Sequence, residues 1–202
     1  AGTTALVARA WGAGDYEEAS RVTMASLVLG GALSLVVATL GFFFADSMAG
    51  VFGLDAQTLA MATENIRLLA FFNVAFAGML ILGAALRASG DAWTPLWISG
   101  GVNLINLPLL YAFIFGHWGM PQMGVAGAAA AAGIAFTIGS LVQLILWVKQ
   151  KFRVRHVVNG WWRKARLRQL LDIGYPAALE QGVFQLGFFI FLIVIGNNYG
   201  TE

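Results

Sequence analysis

Five stretches of this chain carry no charged residue, and each is long enough to cross a membrane: residues 23–45, 68–86, 92–116, 118–148 and 181–201. A hydrocarbon core of ~30 Å takes about 20 apolar residues of helix. Composition agrees, with 59% of the 202 residues hydrophobic and 11% charged. A soluble domain is nearer about 45–50% apolar and about 25% charged. So high an apolar content excludes disorder. The absence of cysteine excludes a disulfide framework and Cys-ligated zinc or Fe–S sites. The expected fold class is all-α, a polytopic membrane helix bundle. Residues 1–11 resemble the tail of an earlier crossing. The chain starts Ala-Gly-Thr-Thr and stops directly after an apolar run, so it is expected to be part of a longer protein. No basic n-region precedes the first apolar stretch, so no signal peptide is expected.

The connections between runs alternate between two sides of the membrane. One side holds Arg9, Arg21, Arg87 and the cluster from Lys149 to Arg168, which is all but one of the 12 Lys and Arg. The other holds Arg67, with Glu64 one helical turn earlier. The positive-inside rule makes the basic side cytoplasmic. Residues 149–172, with Trp161 and Trp162, are expected to form a cytoplasmic linker with interfacial Trp anchors. The sharper alternative is a surface helix on anionic head groups. Nucleic acid is not an expected partner, because the membrane boundary already accounts for the basic residues.

Small residues recur within the runs. Gly124, Ala128 and Ala132 repeat at four-residue spacing, and Gly30, Gly31, Gly78 and Gly83 are similar in kind. Small faces let helices approach closely in lipid.

No catalytic constellation is present, and no enzyme is expected. His117 and His156 fall on opposite sides and cannot share a metal. There is neither a nucleophile elbow nor a phosphate-binding loop. Gly12-Ala-Gly14 follows no soluble strand. No cofactor or metal is expected.

Polar residues inside the runs are few. Glu180 is the only acid within the apolar stretch 173–201. An intramembrane carboxylate is costly and by default a functional candidate. It could take up a proton or ligate Na⁺; equally, it could snorkel to water or pair with a basic residue. Gln181 and Gln185 share a helix face beside it. Asn103, Asn106 and Pro108 interrupt the 92–116 run, and a proline in a spanning helix frees a carbonyl or bends the helix. Asn73 and Gln143 each sit alone in a run. For all these amides, hydrogen bonds between helices compete with a binding role.

Two motifs recur at cytoplasmic ends. Arg9, Gly12, Gly14 and Asp15 form one; Arg87, Gly90 and Asp91 form the other, followed by Pro95. Glycine allows a turn with positive φ, Asp caps the next helix and Arg anchors at the interface. A structural hinge or gate is the leading reading of both.

At these motifs the chain resembles the multidrug and toxic compound extrusion (MATE) family. The resemblance rests on Ala5-Leu-Val-Ala-Arg9 with Gly12-Ala-Gly14-Asp15, and Leu86-Arg87-Ala-Ser-Gly90-Asp91 with Pro95. It continues through Ile114-Phe-Gly116, Gly124-Val-Ala-Gly-Ala-Ala129 and Gly174-Tyr-Pro176-Ala-Ala-Leu-Glu180-Gln181. It covers essentially the whole chain. It implies a transporter of two six-helix lobes, of which this chain holds the end of helix 2 to helix 7. Residues 1–148 would then belong to the first lobe, 149–172 to a basic interlobe linker and 173–202 to the first helix of the second lobe. Pro108 and Pro176 become helix kinks. The resemblance further implies export of cationic, amphipathic compounds in exchange for H⁺ or Na⁺ by alternating access. Asn73, Asn103, Asn106, Glu180, Gln181 and Gln185 are the candidate contacts for substrate or ion. An acidic or amide position that many members carry before Ile-Phe-Gly is Leu110 here, and a carboxylate some carry one turn beyond Glu180 is Phe184.

The expected partners are the bilayer, a small organic cation and the remaining helices of the same protein, in a bacterial inner membrane. Two rivals keep the membrane setting. One is a flippase of lipid-linked oligosaccharide, against which every Lys and Arg lying near a run end argues. The other is a non-transporting scaffold or partner subunit.

Overall fold

The computed structural model describes residues 2–51 and 55–199, and side chains as far as residue 191. Backbone polar groups in hydrocarbon must be satisfied within their own segment, which a helix does. The described residues accordingly form seven helices and no strand: α1 (Gly2–Gly12), α2 (Tyr16–Phe43), α3 (Ala45–Gly50), α4 (Ala56–Ala88), α5 (Trp93–Phe115), α6 (Val125–Val148) and α7 (Lys164–Tyr199). By length and composition α2, α4, α5 and α6 can each cross a membrane. They correspond to the first four uncharged runs. The fifth run falls within α7 as far as Tyr199, and residues 200–202 lie outside the described residues. The uncharged run from 118 is not helical throughout, because Trp118, Gly119 and Gly124 take positive φ before α6 begins.

The centre of the bundle is α6. In its most apolar window 44% of residues are buried, against 11–22% for the other three spans. It packs on α4 and α5, while α2 packs on α4. Close approach is made by Gly127, Gly133 and Gly139. A β-carbon at Gly127 would lie 2.7 Å from the Phe113 carbonyl oxygen of α5. One at Gly133 would meet the Phe72 ring of α4, and one at Gly139 the Val102 side chain. The expected Gly124, Ala128, Ala132 face is therefore not the contact face. Gly124 precedes the helix, and Ala128 and Ala132 are only half-buried. Gly30, Gly78 and Gly83 do sit against neighbouring side chains, whereas Gly31 faces open space.

The two Arg-Gly-Asp turns share one geometry. At the end of α1, Gly14 N–H donates to the Trp11 carbonyl at 3.1 Å and Asp15 N–H to Ala10 at 3.0 Å. At the end of α4, Gly90 N–H donates to Arg87 at 3.1 Å and Asp91 N–H to Leu86 at 3.0 Å. These paired bonds close each helix as a Schellman motif. They need φ of +76° at Gly14 and +80° at Gly90, which L side chains resist. Each Asp then opens the next helix, Asp15 accepting from Glu18 N–H at 2.9 Å and Asp91 from Thr94 N–H at 3.0 Å. Gly12 lies within α1 and has no such requirement.

Residues 151–163 are not a surface helix. Phe152 and Val154 are buried in the main core cluster with Leu6, Val22, Leu86 and Trp147. Helix α7 starts at Lys164, within the stretch expected to be linker. Its first turn carries Arg166, whose side chain is 2% exposed. That guanidinium grips Glu18 of α2 with two nitrogens, Nε donating to Oε1 at 2.7 Å, and Nη1 donates to the carbonyls of Gly160 at 2.8 Å and Trp161 at 2.6 Å. Leu170 and Gly174 then lie against Gly2 of α1. Beyond that, α7 leaves the bundle, and every side chain from Ala178 to Phe188 is exposed.

Gly14→Ala and Gly90→Ala are each expected to cost roughly 1–2 kcal/mol, whereas Gly12→Ala should be neutral or slightly stabilising. Apparent melting of the detergent-solubilised protein tests that order. Glu18→Gln leaves the Arg166 charge buried without its counter-ion and should cost about 3 kcal/mol. The Glu18→Met/Arg166→Met double variant should recover part of that loss in the same assay.

Candidate functional site

The amides and the carboxylate singled out above do not converge. Asn103 and Asn106 are on α5 and Asn73 is on α4. Glu180, Gln181 and Gln185 are on α7, which touches α1 and α2 but not α5 among the described residues.

Their local chemistry differs too. Asn73 Nδ2 donates to the Ser34 carbonyl of α2 at 2.9 Å; it is a tie between helices. Asn103 Nδ2 donates to the Ser99 carbonyl at 3.0 Å, one turn back on its own exposed face. Asn106 is half-buried, and its Oδ1 is shielded with no hydrogen-bond partner. Helix α5 continues through Pro108 and α7 through Pro176. Neither ring supplies an N–H, so the carbonyls of Leu104 and Asp172 lose their helical donors. Glu180, Gln181 and Gln185 are exposed on the part of α7 that stands clear of the bundle, as is Phe184, and Leu110 is half-buried.

The cavities lie elsewhere. An apolar groove of about 450 Å³ runs between α2, α4 and α6, bordered by Leu27, Phe71, Phe72, Thr137 and Ser140. Its hydroxyls are few, and Thr137 Oγ1 donates to the Gly133 carbonyl at 2.7 Å. A smaller pocket of about 100 Å³ lies where Arg87, Pro95, Ser99 and Gln143 meet. Gln143 is 1% exposed and its Oε1 has no partner, so it makes no hydrogen bond through that oxygen to another helix. Arg87 and Pro95 of the second motif thus border a small, mainly apolar pocket into which Gln143 is set. That juxtaposition was not legible, because Gln143 is a single amide in a long apolar run.

At the basic end, Arg9, the foot of α2, the α4–α5 turn and the linker gather together. A β-carbon at Gly90 would sit 3.7 Å from Arg153 Nη1, and one at Gly160 3.1 Å from Arg21 Nε. At the other end Arg67 pairs with Asp46 of α3 at 2.7 Å. Glu64, one turn earlier on the same helix, is not its partner, because α3 brings Asp46 across the gap.

The model of the MatE family matches residues 1–112, more than half of the chain. The chain belongs to this family. Over 96% of its length it is 29% identical to a protein of Thermotoga maritima described as a probable multidrug resistance protein NorM. It is 28% identical, again over 96%, to an uncharacterised transporter of Bacillus subtilis. It spans 42% and 44% of those relatives. Among solved structures, 98% of the chain superposes on an inward-facing MATE multidrug resistance transporter with a TM-score of 0.85 at 25% identity, covering 45% of that chain. A Pyrococcus furiosus transporter of the same superfamily, described as having a binding pocket of reverse polarity, gives 0.86 over 98% of this chain and 44% of its own. This MatE chain is therefore an integral, multi-pass membrane chain, all-helical among the described residues.

Asn106→Leu removes an unpartnered buried oxygen and should leave stability unchanged or slightly raised. Asn73→Leu removes a bond between helices and should cost roughly 0.6 kcal/mol, and no more than about 1.7. Comparing apparent melting temperatures separates the two roles.

Proposed function

We propose that the protein containing this chain is a secondary antiporter that exports cationic, amphipathic compounds in exchange for H⁺ or Na⁺. The observation that carries this reading is the match to MATE transporter structures in two access states. The chain superposes on an inward-facing MATE structure at a TM-score of 0.85 and on an outward-facing one at 0.83, over 98% of its length each time. Similar scores in the two states are what a chain gives when most of it, α1 to α6 with the foot of α7, moves as one body. Alternating access then comes from that unit and the rest of the protein rocking relative to each other.

The foot of α7 belongs to the first unit, through Arg166 and Leu170. Its exposed upper half belongs to the second. The bend between them falls at Pro176, where the helix has already lost one hydrogen bond. Glu180, one turn further on, is the group whose charge would change when a coupling ion binds. It has no ion-pair partner among the described residues. Neutralising it shifts the balance between states only if the two states solvate it differently. The absence of Lys and Arg from the middle of the spans favours a cationic cargo over the pyrophosphate of a lipid-linked sugar. The Pyrococcus furiosus structure of reverse pocket polarity makes cargo charge the property to test. An inner membrane with the basic end cytoplasmic completes the proposal.

Dye efflux from cells or proteoliposomes is the test. Glu180→Gln and Glu180→Asp should both reduce export driven by a pH or Na⁺ gradient. Undiminished export by Glu180→Gln removes this carboxylate from the mechanism. Movement of an undecaprenyl-linked lipid without dye export replaces the antiporter by the flippase.

A further inference from the structure

The linker between α6 and α7 is built, rather than merely tethered. Gln150 takes φ +57° at the end of α6, and its Nε2 donates to the His156 carbonyl at 2.8 Å. Between them the sequence Lys151-Phe-Arg-Val-Arg155 alternates. Phe152 and Val154 are buried in the core at 7% and 0% exposure, while Lys151, Arg153 and Arg155 are exposed. Arg155 N–H donates to Ser20 Oγ of α2 at 3.0 Å. The backbone is thereby pinned at both ends and in the middle, and its cations are held on one side. Facing them across a cleft of about 580 Å³ are Trp11, Tyr16, Glu17 and Ser20 of the α1–α2 turn. Trp11 and Tyr16 pack as a tilted aromatic pair, with ring centroids 4.5 Å apart. Glu17 is already neutralised by Arg21. The side chains of Arg153 and Arg155 have no hydrogen-bond or ion-pair partner among the described residues.

Depth fixes what such a cleft can meet. Ser20 lies three residues before the uncharged run that starts at Thr23, about 4.5 Å along the helix. That is the head-group layer, which adds ~5–7 Å to each side of the hydrocarbon core. Two unpaired guanidiniums and an aromatic pair at this depth match a phosphate carried on a glycerol backbone. Arginine takes a phosphate through paired N–H donors, and Trp and Tyr settle at the interface.

We propose that the cleft between the α1–α2 turn and residues 153–157 binds the phosphate head group of an anionic phospholipid from the cytoplasmic leaflet. The site is independent of the transported compound. The lipid bridges the α1–α2 turn and the linker, the two segments that Glu18 and Arg166 also join.

Native mass spectrometry of the intact detergent-purified protein, titrated with phosphatidylglycerol or phosphatidylcholine, tests this. The native protein should prefer phosphatidylglycerol. Arg153→Gln/Arg155→Gln should weaken that binding by about thirtyfold. The Arg153→Lys/Arg155→Lys variant should keep most of it, and Lys149→Gln/Arg163→Gln, which removes equal charge outside the cleft, should keep it too. Equal binding of the two lipids overturns the proposal. So does an equal loss in the Lys149→Gln/Arg163→Gln control, which would mean diffuse attraction. Displacement of the lipid by millimolar inorganic phosphate would make the occupant a free anion and overturn the lipid assignment.

Discussion

A buried guanidinium cannot be left without acceptors, and in this chain that constraint joins two parts of the molecule. Arg166 has three sources of acceptors: the Glu18 carboxylate on α2 and the carbonyls of Gly160 and Trp161. Satisfying them requires the chain to fold back from α6 across the foot of α2 before α7 can start. Phe152 and Val154 follow into the core, and Leu170 closes the contact. A buried ion pair of this kind contributes little net stability against an apolar alternative, but breaking one half is costly. Its effect is to fix where α7 begins relative to α1 and α2.

The membrane sets the remainder. In hydrocarbon, apolar burial no longer drives association, so helices are held by close packing and occasional polar ties. The glycines of α6 provide the first and the Asn73 tie to α2 the second. Among the buried polar atoms left without partners are the amide oxygens Asn106 Oδ1 and Gln143 Oε1. In a transporter such groups are where ligand or water would be accommodated. They lie on α5 and α6, away from the exposed carboxylate of α7.

Much of this was legible from charge alone. The uncharged runs located α2, α4, α5 and α6, and the glycines before Asp15 and Asp91 located the turns. The uncharged residues before α6 were misleading, since freedom from charge does not oppose the turn made by Trp118, Gly119 and Gly124. Spacing predicted the wrong small face on α6, because its neighbours approach at Gly127, Gly133 and Gly139, which have no four-residue repeat. Arg166 was invisible as a structural residue because the positive-inside rule already explained a cation there. The alternation of Lys151 to Arg155 was a usable signal of a docked, extended segment, and it was masked by the same rule. Arg67 took a partner from α3, a helix too short for any periodicity to reveal.

In the proposed cycle the foot of α7 moves with α1 and α2, on which it packs, and its exposed upper half does not. The chain has no native cysteine, so spin labels can be placed at will. Distances would be measured from Ala13 to Ala165, and from Ala13 to Phe188, while pH, Na⁺ and substrate shift the access state. The Ala13–Ala165 distance should stay constant while the Ala13–Phe188 distance changes. A change of equal size in both would mean that the Arg166 contact opens during the cycle, and would contradict that division of α7.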